Sequence, residues 1–472
     1  MLHIFVQVVK YLLILFILIY TFECFNVFRV SSNPEKQHRI YIKQRVMIYM
    51  IHTSSFAVLF FTTMNTQMIG MYILQILFIT AVFVLYHIFY QNCSKLILNN
   101  MCILFSIGSI ILTRLSYSKA LRQYMFCLAG LVICVLIPII LQSISLFRNL
   151  TWLYAILGIL ALAAVTLFGG VSYGAKLSLS FGGISIQPSE FVKILFVFFV
   201  ASMLRKEVTI KKLMITSLVS AIFVLLLVAS KDLGGALLYF ITFLVIVYAA
   251  TGKIIYFLSG TALMAVAAFA GYHLFSHVQN RVAAWRNPLS VYNDAGYQVS
   301  QSLFGIGTGG WFGLGLNQGL PNKIPVVEKD FIFAAISEEM GGIFALCLIL
   351  ICLSCFLMFM NISMKLNDLF YKLVALGLAT LYAMQVILTI GGVIKFIPST
   401  GVTLPLVSYG GSSLLSTFII FGIIQGLYMR DRDSEEEGNS NQNEEKKIKQ
   451  KQHSKSKSKR KSKFEEANIK QL

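Results

Sequence analysis

Residues 232–250 read DLGGALLYFITFLVIVYAA, one aspartate followed by eighteen residues without a charge. A bilayer core roughly 30 Å thick needs about that length of helix. The block is not isolated. Apolar blocks recur at about 8–28, 47–65, 68–90, 101–116, 121–142, 151–169, 190–204, 211–229, 254–275, 331–360, 371–393 and 403–428, so thirteen crossing helices are expected. Composition agrees: of 472 residues, 57% are hydrophobic and 12% charged, about half the charge of a soluble domain. A soluble enzyme, a secreted disulfide scaffold and a disordered regulator are excluded. The expected fold class is an all-α polytopic integral membrane protein. The first block lacks a small-residue cleavage site and is retained as a helix.

The net charge of +19 suggests nucleic acid until it is located. Thirteen of the 39 Lys and Arg lie in residues 430–472, among nine acids. This tail reads as a charged, disordered segment beside anionic lipid, with no nucleic-acid role. Other cations sit in short loops: Arg29, Lys36, Arg39, Lys43 and Arg45, then Arg205, Lys206, Lys211 and Lys212, then Lys365 and Lys372. By the positive-inside rule these loops and the C-terminus face the cytoplasm, and the N-terminus lies outside. Lys119 with Arg122 is the one conflicting pair. No metal site is expected: the Cys352-x-x-Cys355 pair falls mid-span with no second pair, and His273 and His277 read as interfacial.

The expected outer side holds one long loop, residues 276–330, and long loops are usually functional. Its run from Gly305 to Gly319 has seven glycines in fifteen residues, but no Lys-Ser or Lys-Thr follows, so it is no ATP phosphate loop. Only eleven acids precede the tail. Seven of them, Glu190, Asp232, Asp294, Glu328, Asp330, Glu338 and Glu339, map to outer loops or outer span ends. Carboxylates at such depth mark a polar cavity or a paired site. Glu190 and Lys193 share a face at i, i+3, and Lys193 needs a carboxylate, with Asp232 the natural partner. Asp330 is equally a favoured helix N-cap or a reactive carboxylate at the membrane boundary.

Taken in order, the motifs resemble the SEDS family of bacterial membrane proteins, the FtsW, RodA and SpoVE group. The residues carrying the resemblance are Gln187-Pro188-Ser189-Glu190 with Lys193, Asp232-Leu233-Gly234, Arg281 with Asn287-Pro288, and Gly296-Tyr297-Gln298. Gly309-Gly310 with Gly313 and Gly315, Asp330-Phe331-Ile332-Phe333 with Glu338-Glu339, Pro398-Ser399-Thr400-Gly401 and Leu404–Ser413 complete it. The resemblance implies a ten-helix core over residues 100–429, preceded by about three extra helices in residues 1–99 and followed by the tail. Three departures mark a divergent member: Lys176-Leu177-Ser178 where the family often has Arg-Trp after Gly-Ala, Ser230-Lys231 where it has Gln-Pro, and Lys329 where it has Thr.

The resemblance further implies polymerisation of lipid II into glycan strands at the outer face of the cytoplasmic membrane, beside a class B penicillin-binding protein that cross-links them. Asp330 matches the family's essential aspartate and is the expected general base. Arg281, with Lys323, Lys329, Gln298 and Glu339, is expected to bind substrate. Glu190, Lys193 and Asp232 are expected to form a buried network. No cofactor is implied with certainty; a divalent cation could share the diphosphate charge. The alternatives are a lipid-precursor flippase or transporter, which intramembrane charges also suit, and an inactive scaffold for a transpeptidase.

Overall fold

A computed structural model of the chain describes residues 1–30, 33–143, 145–172, 175–181 and 184–432. The tail beyond Arg432 lies outside the described residues. Three helices come first: α1 (Leu2–Arg29), α2 (Pro34–Thr63) and α3 (Gln67–Phe89). Next are α4 (Lys95–Leu115), α5 (Tyr117–Ser143), α6 (Thr151–Phe168), α7 (Pro188–Leu204), α8 (Ile210–Ala229), α9 (Leu233–Thr251) and α10 (Ile254–Leu274). Two short helices, α11 (Ser276–Arg286) and α12 (Tyr297–Gly309), fill the long loop. The chain then forms α13 (Ile332–Met340), α14 (Gly342–Lys365), α15 (Leu369–Val393) and α16 (Gly411–Arg432). Twelve of these helices are long and apolar enough to cross a membrane. The 17-residue α7, mostly buried in the bundle, is the thirteenth expected span. The protein is an all-α multi-pass membrane protein.

Local chemistry sets the helix starts. Asn33 accepts from the Lys36 N–H, with Pro34 at the first helical position; Asp232 accepts from Gly235 N–H at 2.9 Å and Asp368 from Phe370 N–H at 2.9 Å. These are the side chains that satisfy orphan N–H groups at a helix start.

Two expected spans are shorter than the apolar pattern implied. The block at 331–360 breaks at Gly341, φ 93°, into α13 and α14. The block at 403–428 becomes helical only at Gly411; residues 403–410 form a turn. A small antiparallel sheet was not anticipated either: β1 (Gly170–Ser172), β2 (Ala175–Phe181) and β3 (Ile184–Ile186), with Leu179 opposite Ile186 and Gly170 opposite Ser178. It leads into Gln187 and α7.

α4 is buried along nearly its whole length; α2 and α3 pack on it and α1 packs on α2 and α14, with buried polar pairs set among the apolar contacts. Asn100 accepts from the Tyr20 hydroxyl at 2.8 Å and donates to Ser354 at 3.2 Å, while Asn99 donates to Gln44 at 2.8 Å. His52 pairs with Ser106 at 2.8 Å and Gln75 donates to Thr113 at 3.1 Å. Between helices already in lipid, such hydrogen bonds supply attraction that apolar contact alone does not. The expected division at residue 99/100 falls inside α4, which begins at Lys95.

Candidate active site

The glycine-rich run is a backbone-to-backbone clasp. Leu314 and Gly315 donate to the carbonyls of Glu338 and Glu339 at 3.0 and 2.9 Å, and Gly342 and Ile343 donate back to Gly310 and Trp311 at 2.8 and 3.1 Å. A Cβ at Gly313, φ 75°, would overlap the Glu339 carbonyl oxygen. The helix therefore breaks at Gly341 because a second chain segment lies against it. The clasp holds the end of the bundle on which Asp330 sits.

Glu338 and Glu339 serve this clasp. Glu339 is 1% exposed; it pairs with Arg114 at 3.0 Å and accepts from the Asn317 N–H at 3.2 Å. Arg114 also donates to the Gly319 carbonyl at 3.1 Å, and Glu338 accepts from the Leu320 N–H at 2.7 Å. Glu339 was expected to bind substrate; both its oxygens are instead engaged inside the protein, so its place is structural.

Asp330 stands half-buried just before α13, in a narrow crevice lined by Phe331, Leu388, Thr389 and the Ser399–Val402 segment. Its segment is pinned from α16's leading turn. Ser408 donates its hydroxyl to the Lys329 carbonyl, and Tyr409 N–H donates to the Glu328 carbonyl at 2.7 Å. Gln123 ties that turn to α5, donating to the Ser408 carbonyl at 3.3 Å and accepting from Gly410 N–H at 3.1 Å. Glu328 is ion-paired with Lys119. That pair explains the cation that ran against the loop-charge rule: Lys119 neutralises a carboxylate two residues from Asp330.

Burial pushes the Asp330 carboxyl up to about 6; its own backbone N–H, Arg281 and Lys329 oppose the rise, and Glu328 adds to it. Arg281, on α11, donates from Nη1 to the Ser399 carbonyl at 3.0 Å and lies beside Gly401. Arg281 thus stands against the Ser399–Gly401 wall of the Asp330 crevice, where its charge acts on Asp330. Gln298 is nearby in sequence order but donates to the Pro325 carbonyl at 2.8 Å, buttressing the segment before Asp330. Lys329 adjoins the aspartate, and Lys323 is exposed on the surface.

Beneath the cleft lies the polar network, with one correction. Lys193 is 2% exposed and pairs with Glu190 at 2.6 Å and Gln385 at 3.0 Å, not with Asp232. Gln385 continues to the Thr403 carbonyl at 3.0 Å, and Ser416 donates to Glu190 at 3.0 Å. Asp232 caps α9 and accepts from Ser189 at 3.4 Å. Its carboxyl is raised by burial and lowered by the Gly235 N–H, with Glu190 raising it further and Arg281 lowering it. Arg281 therefore acts on both aspartates. Gln385, Ser408, Gln123 and Arg114 carry much of the site and were not singled out from sequence; their partners lie 18 to 287 residues away. A larger cavity of about 440 Å³ between α1 and α14 is lined mostly by apolar side chains, with Thr21, Asn26, Arg29 and Cys347 among them and no carboxylate.

The family model described as cell cycle protein, FtsW/RodA/SpoVE, matches residues 95–433, a stretch holding nine of the twelve helices long and apolar enough to cross, together with α7. The chain is 33% identical over 327 residues to the peptidoglycan glycosyltransferase RodA of Mycobacterium tuberculosis (strain ATCC 25618 / H37Rv), covering 65% of this chain and 70% of that one. It is 30% identical over 321 residues to the stage V sporulation protein E of Bacillus subtilis (strain 168), covering 66% and 86%. Among solved structures, a chain of a peptidoglycan synthase complex superposes with a TM-score of 0.62 at 22% identity, over 72% of this chain and 99% of that one. RodA of Thermus thermophilus superposes with a TM-score of 0.53 at 22% identity, over 73% and 98%. These two show the fold. The chain belongs to the cell cycle protein family of FtsW, RodA and SpoVE.

Proposed function

We propose that this chain is a peptidoglycan glycosyltransferase that polymerises lipid II into glycan strands at the outer face of the cytoplasmic membrane. The observation carrying the reading is a half-buried carboxylate, Asp330, in a crevice whose lining Ser399 carbonyl anchors the Arg281 guanidinium close enough for its charge to act on that carboxylate. Asp330 takes the proton from the acceptor sugar's 4-hydroxyl as that oxygen attacks the donor's anomeric carbon. The donor's lipid diphosphate leaves. A carboxylate near pH 6 is ionised at neutral pH yet basic enough to accept a proton in the transition state. Arg281 faces the negative charge that develops on the diphosphate, which is where a fixed cation accelerates the reaction. The crevice is too narrow to take a sugar, so in this reading the sugars lie across its mouth.

In this reading Asp330's end of the bundle is outside, the C-terminus is cytoplasmic and the N-terminus is outside. The cations gathered toward the opposite helix ends support that orientation, and the Lys119–Glu328 pair accounts for the one exception. Residues 1–94 form an accessory three-helix unit, and a class B penicillin-binding protein is the partner. Glu190, Lys193 and Gln385 hold the floor of the cleft. Reconstitution with labelled lipid II, with and without a transpeptidase partner, tests the reading. Glycan strands support it; translocation of lipid without polymer under every partner condition supports the carrier alternative and refutes it.

A further inference from the structure

At the end of the bundle opposite Asp330, α2, α3 and α4 enclose a second polar cavity of about 270 Å³. Three basic side chains line it: Arg45 from α2, His87 from α3 and Lys95 from the first turn of α4. No carboxylate lines it, and no ion pair to Arg45 or Lys95 is formed among the described residues. Arg45 is held face-on to the Phe83 ring, 4.8 Å from its centroid, and its Nε is buried without a hydrogen-bond partner. A buried donor left unpaired costs about 1–3 kcal/mol, more when charged. Lys43, one turn-side away on α2, is by contrast paired with Glu23 at 3.2 Å. Lys95 opens α4, so the positive end of that helix lies at the cavity, and its N-cap Ser94 makes no side-chain cap bond.

We propose that this cavity binds a phosphate group, presented either by an anionic membrane lipid or by a soluble phosphate. The planar guanidinium supplies paired donors for phosphate oxygens, Lys95 supplies a second charge, and the apolar wall of Phe83, Tyr90 and Leu98 excludes competing water. Basic pockets between transmembrane helices at a membrane boundary are suited to lipid head groups. The site lies mostly in helices that precede the family-matched region, so it adds a ligand to the accessory unit and does not depend on the glycosyltransferase reading.

Cys93 lines the same cavity and is the one cysteine of eight that is not fully buried, which makes it a built-in reporter. The full chain, in phosphatidylcholine nanodiscs, is labelled with N-ethylmaleimide in two arms: added phosphatidylglycerol, or inorganic phosphate against chloride at equal ionic strength. Labelling of Cys93 is expected to slow several-fold in at least one arm, the lipid arm identifying a head group and the phosphate arm a soluble ligand. The slowing is lost in Arg45→Gln and in Lys95→Gln, and kept in Lys253→Gln, an exposed lysine at the same end. If Arg45→Gln fails to fold, Lys95→Gln decides alone. No slowing in either arm, or equal slowing in Lys95→Gln, overturns the proposal.

Discussion

Arg281 donates from Nη1 to the carbonyl oxygen of Ser399 at 3.0 Å, so the turn that lines the Asp330 cleft also aims the guanidinium. Because that contact is to backbone, the cation's position does not depend on the carboxylate. Arg281→Gln is therefore expected to leave the fold intact and to reduce polymerisation about 10²-fold, the usual cost of one transition-state donor. Initial rates on lipid II, with thermal unfolding as control, measure this. Arg281→Lys is expected to recover only part, since an ammonium cannot reproduce the fork.

The pH dependence follows from Asp330. Its folded carboxyl sits at about 6, and the base acts ionised, so kcat/KM is expected to fall tenfold per pH unit below about 6. Arg281 lowers that value; in Arg281→Gln the acid limb is expected to move to higher pH. A profile that stays flat down to pH 4.5 contradicts this.

Stability runs the other way. Asp330's carboxyl is raised from 3.8 to about 6 in the fold, so its ionisation weakens the folded state as pH rises through that window, by up to about 3 kcal/mol. Below pH 4 the cost is absent; above 6 it is fully present. Asp330→Asn removes it, and the variant is expected to unfold at the same or a higher temperature than the parent at pH 7.5. A fall of several degrees would mark Asp330 as a structural cap.

The Arg114–Glu339 pair is expected to behave as a staple of the glycine clasp. Either Arg114→Leu or Glu339→Gln alone leaves a buried charge unpaired, at a cost of about 3–5 kcal/mol. The double variant is expected to lose less than the sum. A double-mutant cycle on thermal unfolding in detergent checks it; additive losses would show that the pair is not coupled.

The crossing helices were legible because each is an uninterrupted apolar run, and the polar contacts that order them are invisible to such a reading. The break at Gly341 was hidden since apolar residues flank it on both sides; its cause is Gly313, 28 residues earlier in the chain. The small sheet did leave a trace, for Leu177-Ser178-Leu179-Ser180-Phe181 alternates with period two. Asp330 and Arg281 stand out in the sequence only through the family's motif order, and the structure sets Arg281 where its charge acts on Asp330. Glu339 and Asp232 were given the wrong associates because their partners, Arg114 and Ser189, come from helices that sequence spacing cannot juxtapose. Charge alone could not separate a carboxylate that clamps a loop from one poised to react.

The central claim is that the Asp330 carboxylate performs the proton transfer. Purified parent and Asp330→Asn chains, matched for thermal unfolding and reconstituted with the same partner, are supplied with labelled lipid II at pH 7.5. The account predicts glycan strands from the parent and none above background from the variant. Polymer at a comparable rate from Asp330→Asn would contradict it.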